Sequence, residues 1–273
     1  MHATVFAESF VLGATATLIV VVRPPSLLLK GRHARTNYRG APVAGTLGVV
    51  LVMPLLLGCV IAIAAKSYWR PLTAVAIAGG TLGMIGLIDD VFGDRRAGGL
   101  VGHARALAHG RVTTGTLKAF SGAVVGLAVA WLLGSRGIVW ILTGAVIALS
   151  SNLANLLDVR PGRCVKVWLG AFVLLAVVAR TTDAVLATTA LAGGAAAFLR
   201  EDLGERAMLG DGGAAVLGAS LGTAACASVG RTVLIAIAAV LAALTVASEA
   251  VSFTQVIERV RPLRYLDALG RKT

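Results

Sequence analysis

The sequence predicts an all-α fold, a polytopic transmembrane bundle of about nine helices. Three observations predict it. Of the 273 residues, 57% are hydrophobic and another 33 are glycine, more apolar chain than a soluble domain of this length can bury. Apolar runs of roughly 20 residues recur from end to end, parted by charged or Gly- and Pro-bearing breaks. The basic residues, finally, crowd into alternate breaks. Neither an internal repeat nor a soluble second domain is evident, so residues 1–273 read as one integral membrane domain.

The runs are 4–22, 43–65, 71–88, 119–134, 137–157, 165–179, 184–198, 214–228 and 232–250. Several fall short of 20 residues, which suits helices that are tilted or sheltered by neighbours. The first has no positively charged start and continues to Val22 before Arg23, so it reads as a span and not a cleavable leader. Alternation then places loops 23–42, 89–118, 158–164, 199–213 and 251–273 on one face. With Lys166 at its edge, that face holds 20 of the 25 Lys and Arg; Lys66, Arg70, Arg136, Arg180 and Arg231 lie opposite. The positive-inside rule makes the crowded face cytoplasmic, with the amino terminus outside and the carboxyl terminus inside. The outer loops are only a few residues long, so function belongs to the inner face. Trp69, Trp131, Trp140 and Trp168 fall near predicted helix ends, where indole rings anchor in the headgroup layer.

A formal charge of +12 and a pI near 10.8 suit an anionic partner, nucleic acid or lipid. Because the charges lie between apolar runs and form no basic domain, lipid headgroups or a phosphorylated substrate fit, and nucleic acid does not. Cys59, Cys164 and Cys226 sit singly, without the spacing of a disulfide framework or a zinc site.

Three polar constellations interrupt the apolar pattern on the inner face. Asp89 and Asp90 end the third run, and adjacent carboxylates at a membrane boundary repel each other and oppose the helix dipole. Shared protonation or a cation relieves them. In Ser150-Ser151-Asn152-Leu153-Ala154-Asn155-Leu156-Leu157-Asp158, the residues Asn152, Asn155 and Asp158 recur every three positions and so line one helical stripe. In Gly210-Asp211-Gly212-Gly213, glycines flank an acid at the start of the eighth run, where a phosphate or metal can approach the backbone. Asp89, Asp90, Asp158 and Asp211 thus share one face with many cations. Hard oxygen ligands favour Mg²⁺ or Mn²⁺, and Mg²⁺ binds through one or two carboxylates plus substrate phosphates. Phosphoryl chemistry on a lipid follows as the expectation.

In this order, Asp-Asp, then Asn-x-x-Asn-x-x-Asp, then Gly-Asp-x-Gly, the motifs resemble those of the polyprenyl-phosphate N-acetylhexosamine-1-phosphate transferases, which include the phospho-N-acetylmuramoyl-pentapeptide transferases. Two further pieces agree. Asn37-Tyr38-Arg39-Gly40-Ala41-Pro42-Val43, followed by Gly45 and Gly48, is similar to the family's first cytoplasmic loop, and Lys118 is similar to the lysine after its Asp-Asp loop. The resemblance covers residues 35–270. It implies Mg²⁺-dependent transfer of a sugar-1-phosphate from a nucleotide sugar, of the UDP-N-acetylhexosamine type, to polyprenyl phosphate. The products are a diphosphate-linked lipid and a nucleoside monophosphate, made for the cell envelope at the cytoplasmic face of the plasma membrane. The implied catalytic residues are Asp89, Asp90, Asp158 and Asp211. The base is one of the Asp89 and Asp90 pair; Asp89 is taken, with Asp90 supporting it and joining Asp211 as a metal ligand. Asn152, Asn155 and Asp158 would line the metal and nucleotide site, Lys118 would hold a phosphate, and a homodimer is a further implication.

Four departures concentrate where the family binds nucleotide and sugar. After Asp158 the chain reads Val159-Arg160-Pro161-Gly162, with Pro161 in place of a second acid. The last loop has Arg261-Pro262-Leu263-Arg264 in place of a histidine cluster, and no histidine follows His109. Ala214-Ala215 replace the usual Ser-Leu, and nine runs replace ten spans. An altered donor is the simplest reading, with Arg160, Arg163, Arg259, Arg261 and Arg264 binding phosphate or, equally, lipid headgroups. His33, His103 and His109 read as solvated loop residues. Two rivals remain: a non-catalytic member that regulates or scaffolds envelope-synthesis enzymes, and a transporter. Retention of all four acids opposes the first, and their boundary position, away from the midplane, opposes the second.

Overall fold

The computed structural model describes residues 2–22, 34–36, 39–40, 42–93, 99–179 and 182–271. Each of the nine apolar runs becomes one helix: α1 (His2–Val22), α2 (Val52–Ala64, entered through a 3-10 turn, Leu47–Leu51), α3 (Trp69–Phe92), α5 (Thr114–Leu132), α6 (Gly137–Leu157), α7 (Arg163–Ala179), α8 (Asp183–Leu203), α9 (Gly210–Ser228) and α10 (Arg231–Ala250). Three shorter helices lie in the long basic loops: α4 (Gly99–Ala108), α11 (Phe253–Arg259) and α12 (Arg261–Ala268). The chain is an all-α polytopic membrane bundle. A small antiparallel hairpin, β1 (Ala34–Thr36) with β2 (Pro42–Ala44), is an addition that the apolar pattern does not foretell.

Among the described residues, six segments are long and apolar enough to cross a membrane: α1, the 3-10 turn with α2, α3, α5, α6 and α10. The position of α8 and α9 in the bundle explains why they differ. Only 22% of the spanning window is buried in α1, α5 and α10, which must therefore present apolar side chains to lipid. In α8 and α9 most residues are buried, so neighbouring helices shield them and Ala, Gly, Ser and Thr suffice. Helix α8 packs on α1 and α2, and α9 is held between α3 and α6.

Small residues set those approaches. On α3, Gly79, Gly83 and Gly86 face α9, and a Cβ at Gly86 would strike the backbone of Asp211. On the other side of α9, Gly218 rests on the Ser150 and Ser151 backbone of α6. The stripe on α3 therefore draws its carboxyl end, with Asp89 and Asp90, against the amino end of α9. Gly210 turns the chain into α9 at φ +69, and a side chain there would meet the Gly45 carbonyl and the Asp90 carboxylate. The hairpin closes on the same turn, because the Met208 N–H donates to the Ala44 carbonyl at 2.9 Å.

Trp168 departs from its expected interfacial place. It is buried, donates its indole N–H to the Leu217 carbonyl at 2.6 Å and stacks on Phe172, so it ties α7 to α9. Trp69 and Trp131 are exposed, as anchors should be.

Candidate active site

A cavity of about 440 Å³ opens at one end of the bundle, walled by the carboxyl ends of α3, α6 and α10 and the amino ends of α5 and α9. Asp89, Lys118, Asn152, Asn155 and Asp211 all line it, so five residues separated by up to 122 positions in the chain meet at one place. Local capping contributes to this arrangement. Thr113 caps α5 by accepting the Thr116 N–H at 3.1 Å, which fixes the start of the helix that carries Lys118.

Lys118 Nζ donates to Asp211 Oδ2 at 2.8 Å and lies 3.7 Å from Asp89 Oδ2. The same ammonium thus bridges the Asp89 and Asp211 carboxyls. Asn155 donates its side-chain amide to the Ser151 carbonyl at 3.1 Å, and among the described residues its buried Oδ1 has no partner. Asn152 donates across to Thr245 on α10, at 3.5 Å.

Asp90 faces elsewhere. Its Oδ1 accepts the Asp211 N–H at 3.1 Å and its Oδ2 accepts the Gly212 N–H at 2.9 Å, so both oxygens hold the exposed amides of the first turn of α9. A carboxylate there is favoured by the helix dipole. Asp158 also leaves the predicted stripe, because α6 ends at Leu157 and Pro161-Gly162, with Gly162 at φ +73, turns the chain away. It lies in a separate small cavity of about 40 Å³ with Arg160 and Asp202. Burial first, then the nearby Asp202, Asp211 and Asp90 carboxylates, push the Asp158 carboxyl well above the usual range, against a hydrogen bond from the Gly210 backbone.

The predicted arginines do not line the large cavity. Arg160 lies 3.7 Å from Glu258. Arg163 is buried, donates through Nε and Nη2 to the two oxygens of Asp267 at 2.8 and 2.9 Å, and reaches Thr254 at 2.8 Å. Arg261 and Arg264 are exposed on α12. His33, Asn37, Tyr38 and Ala41 lie outside the described residues, as does the side chain of His103. Three residues of α10 that line the cavity went unremarked in the sequence: Thr245, Ser248 and Glu249. Their signal was legible, since they are polar positions three and four apart in an otherwise apolar run.

Among the described residues no cluster of three or more His, Cys, Asp and Glu could hold a metal unaided. Two facing carboxylates and an orphaned amide oxygen are nevertheless a hard-oxygen donor set of the kind Mg²⁺ completes with substrate phosphates. The residues fit such an ion.

No curated protein matches the chain. The model of glycosyl transferase family 4 matches residues 72–229, from the first turn of α3 to the end of α9. That segment contains Asp89, Asp90, Lys118, both asparagines, Asp158 and Asp211, and it spans more than half of the chain. Four of the five helices that wall the cavity, α3, α5, α6 and α9, lie in the matched segment and the fifth, α10, follows it; the chain belongs to glycosyl transferase family 4.

Proposed function

We propose that the chain transfers a sugar-1-phosphate from a nucleotide sugar to polyprenyl phosphate, releasing a nucleoside monophosphate and leaving a diphosphate-linked lipid. Family membership supports a glycosyl-1-phosphate transferase in general terms. The observation that carries the finer reading is the Asp89, Lys118 and Asp211 cluster in a cavity at the end of the bundle, beside an unpartnered Asn155 Oδ1. Asp89 accepts the proton of the attacking lipid phosphate, and Lys118 holds a phosphate oxygen against the two acids. Asp211 and Asn155 would hold Mg²⁺. When bound, such an ion would supply charge neutralisation and Lewis-acid polarisation of a phosphoryl oxygen. Asp90 positions Asp211 by fixing the first turn of α9, a role that needs no contact with substrate. Thr245, Ser248 and Glu249 present polar groups to the donor.

An apolar groove of about 350 Å³ between α6, α7, α9 and α10 has the character a prenyl chain requires. It lies against the other face of α6 from the polar cavity, with Ser150, Leu153 and Leu157 on the groove side and Ser151, Asn152 and Asn155 on the cavity side. The work belongs to envelope glycan synthesis at the inner face of the plasma membrane, with a UDP-N-acetylhexosamine type of donor.

One observation favours a second reading, a non-catalytic member that regulates or scaffolds envelope enzymes. The last loop, where the resemblance predicts donor-binding groups, is occupied by the Arg163 and Asp267 ion pair. Purified protein given undecaprenyl phosphate, Mg²⁺ and a panel of UDP-, CDP- and GDP-sugars separates the two. Mg²⁺-dependent monophosphate release from one donor, abolished by Asp211→Asn, is the expected result. Silence across the panel from folded protein overturns the transferase reading.

A further inference from the structure

Helix α12 is held by one edge. Asp267 is clasped by Arg163 and by Arg271 Nη2, the latter at 2.7 Å, while Lys166 Nζ donates to the Leu266, Asp267 and Leu269 carbonyls that end the helix. Arg163 and Lys166 belong to the first turn of α7, an apolar run of the bundle, so their reach fixes α12 at the depth where that helix meets the headgroup layer. Among the described residues nothing buries the remainder of α12. At helical spacing Leu263 and Leu266, continued by Leu269 just past the helix end, form one apolar stripe, and all three are exposed. Arg261 and Arg264 lie on the other side of the helix, with Arg259 just before it, and they too are exposed.

We infer that α12 is an interfacial helix that seats its leucine stripe in the bilayer and takes anionic phospholipid headgroups on Arg259, Arg261 and Arg264. Depth, amphipathicity and sign of charge agree on that occupant. A second copy of the chain would bring the same arginines together, which is unfavourable.

The test places a reporter on the stripe of the full chain. Leu266→Cys carries an environment-sensitive fluorophore, with the unsubstituted chain as background because Cys59 and Cys164 are buried and Cys226 is partly so. The protein is set in nanodiscs of phosphatidylcholine alone or mixed with phosphatidylglycerol. The expected result is blue-shifted emission, quenched by brominated acyl chains, and stronger with phosphatidylglycerol. Arg261→Gln with Arg264→Gln should move the partition toward water by about tenfold in the anionic discs. Leu263→Cys repeats the measurement, so one mislabelled or misfolded variant does not decide it. Water-like emission in both lipids overturns the inference. So does a blue shift that bromine does not quench and that needs two copies per disc, which would assign the face to a protein contact.

Discussion

Two charged clusters stand at the same end of this bundle and use the same residue types to opposite ends. In the clasp, Asp267 is shared by Arg163 and Arg271, Lys166 is spent on backbone carbonyls, and Arg271 Nε reaches the Pro161 carbonyl at 2.8 Å. Every charged group there has its partners. In the cavity, Lys118 bridges Asp89 and Asp211, and among the described residues the buried Asn155 Oδ1 has no partner. A satisfied cluster holds a loop in place, and an unsatisfied one holds a ligand. The contrast teaches that neither the count nor the conspicuousness of charged residues separates structure from chemistry at a membrane edge; unmet valence does.

The comparison breaks most visibly at Asp211. Asp211→Asn should lower turnover by about a thousandfold, read as monophosphate release per folded molecule, with no loss of melting temperature, since removing one of two facing acids relieves repulsion. Lys118→Met should lower it by about a hundredfold and weaken phosphate binding, visible as a raised KM for the lipid acceptor. At the clasp the effects reverse. Asp267→Asn leaves the buried Arg163 without its ion pair, a change expected to weaken attachment of α12 by about 3 kcal/mol and to speed proteolysis at the carboxyl end, with turnover largely kept.

The clasp has a pH dependence of known sign. Burial alone would raise the Asp267 carboxyl, but hydrogen bonds and charge from Arg163 and Arg271 outweigh it and hold it below the usual carboxylate range. Its contribution is therefore full above the ordinary aspartate value of about 4 and is lost as pH falls through the lower folded value. Proteolysis of the terminal helices as a function of pH measures it. Asp90→Asn should have a smaller effect, because one amide oxygen can replace only one of two accepted N–H bonds. A loss of about 1 kcal/mol and a modest fall in turnover are expected, and a thousandfold fall would instead make Asp90 a direct participant. Smallest of all should be Arg160→Gln, which removes a partly exposed pair with Glu258 and should change stability by less than about 1 kcal/mol.

Much of this was legible in the chain. Nine apolar runs became nine helices because lipid or a neighbouring helix demands apolar surface wherever a span lies, and the demand is local. Asp89, Lys118, Asn155 and Asp211 could be placed together since alternation alone brings those helix ends to one face. What stayed hidden depended on tertiary approach. That Asp90 caps α9 while its neighbour Asp89 faces the cavity follows from the glycine stripe of α3, whose contact with α9 no local pattern specifies. Asp158 left its stripe at the Pro161-Gly162 turn, one position beyond the helix on which the spacing argument relied. Arg163 read as a phosphate ligand because its partner, Asp267, lies 104 residues away. Trp168 read as an anchor for the same reason, its acceptor being on α9.

Paired measurement of turnover and thermal stability on Asp211→Asn and Asp267→Asn tests the central claim most directly. The account predicts that Asp211→Asn loses turnover and keeps its melting temperature, while Asp267→Asn loses stability at its carboxyl end and keeps turnover per folded molecule. Full turnover in Asp211→Asn, or loss of turnover in a stable Asp267→Asn, would place the chemistry at the clasp and contradict it.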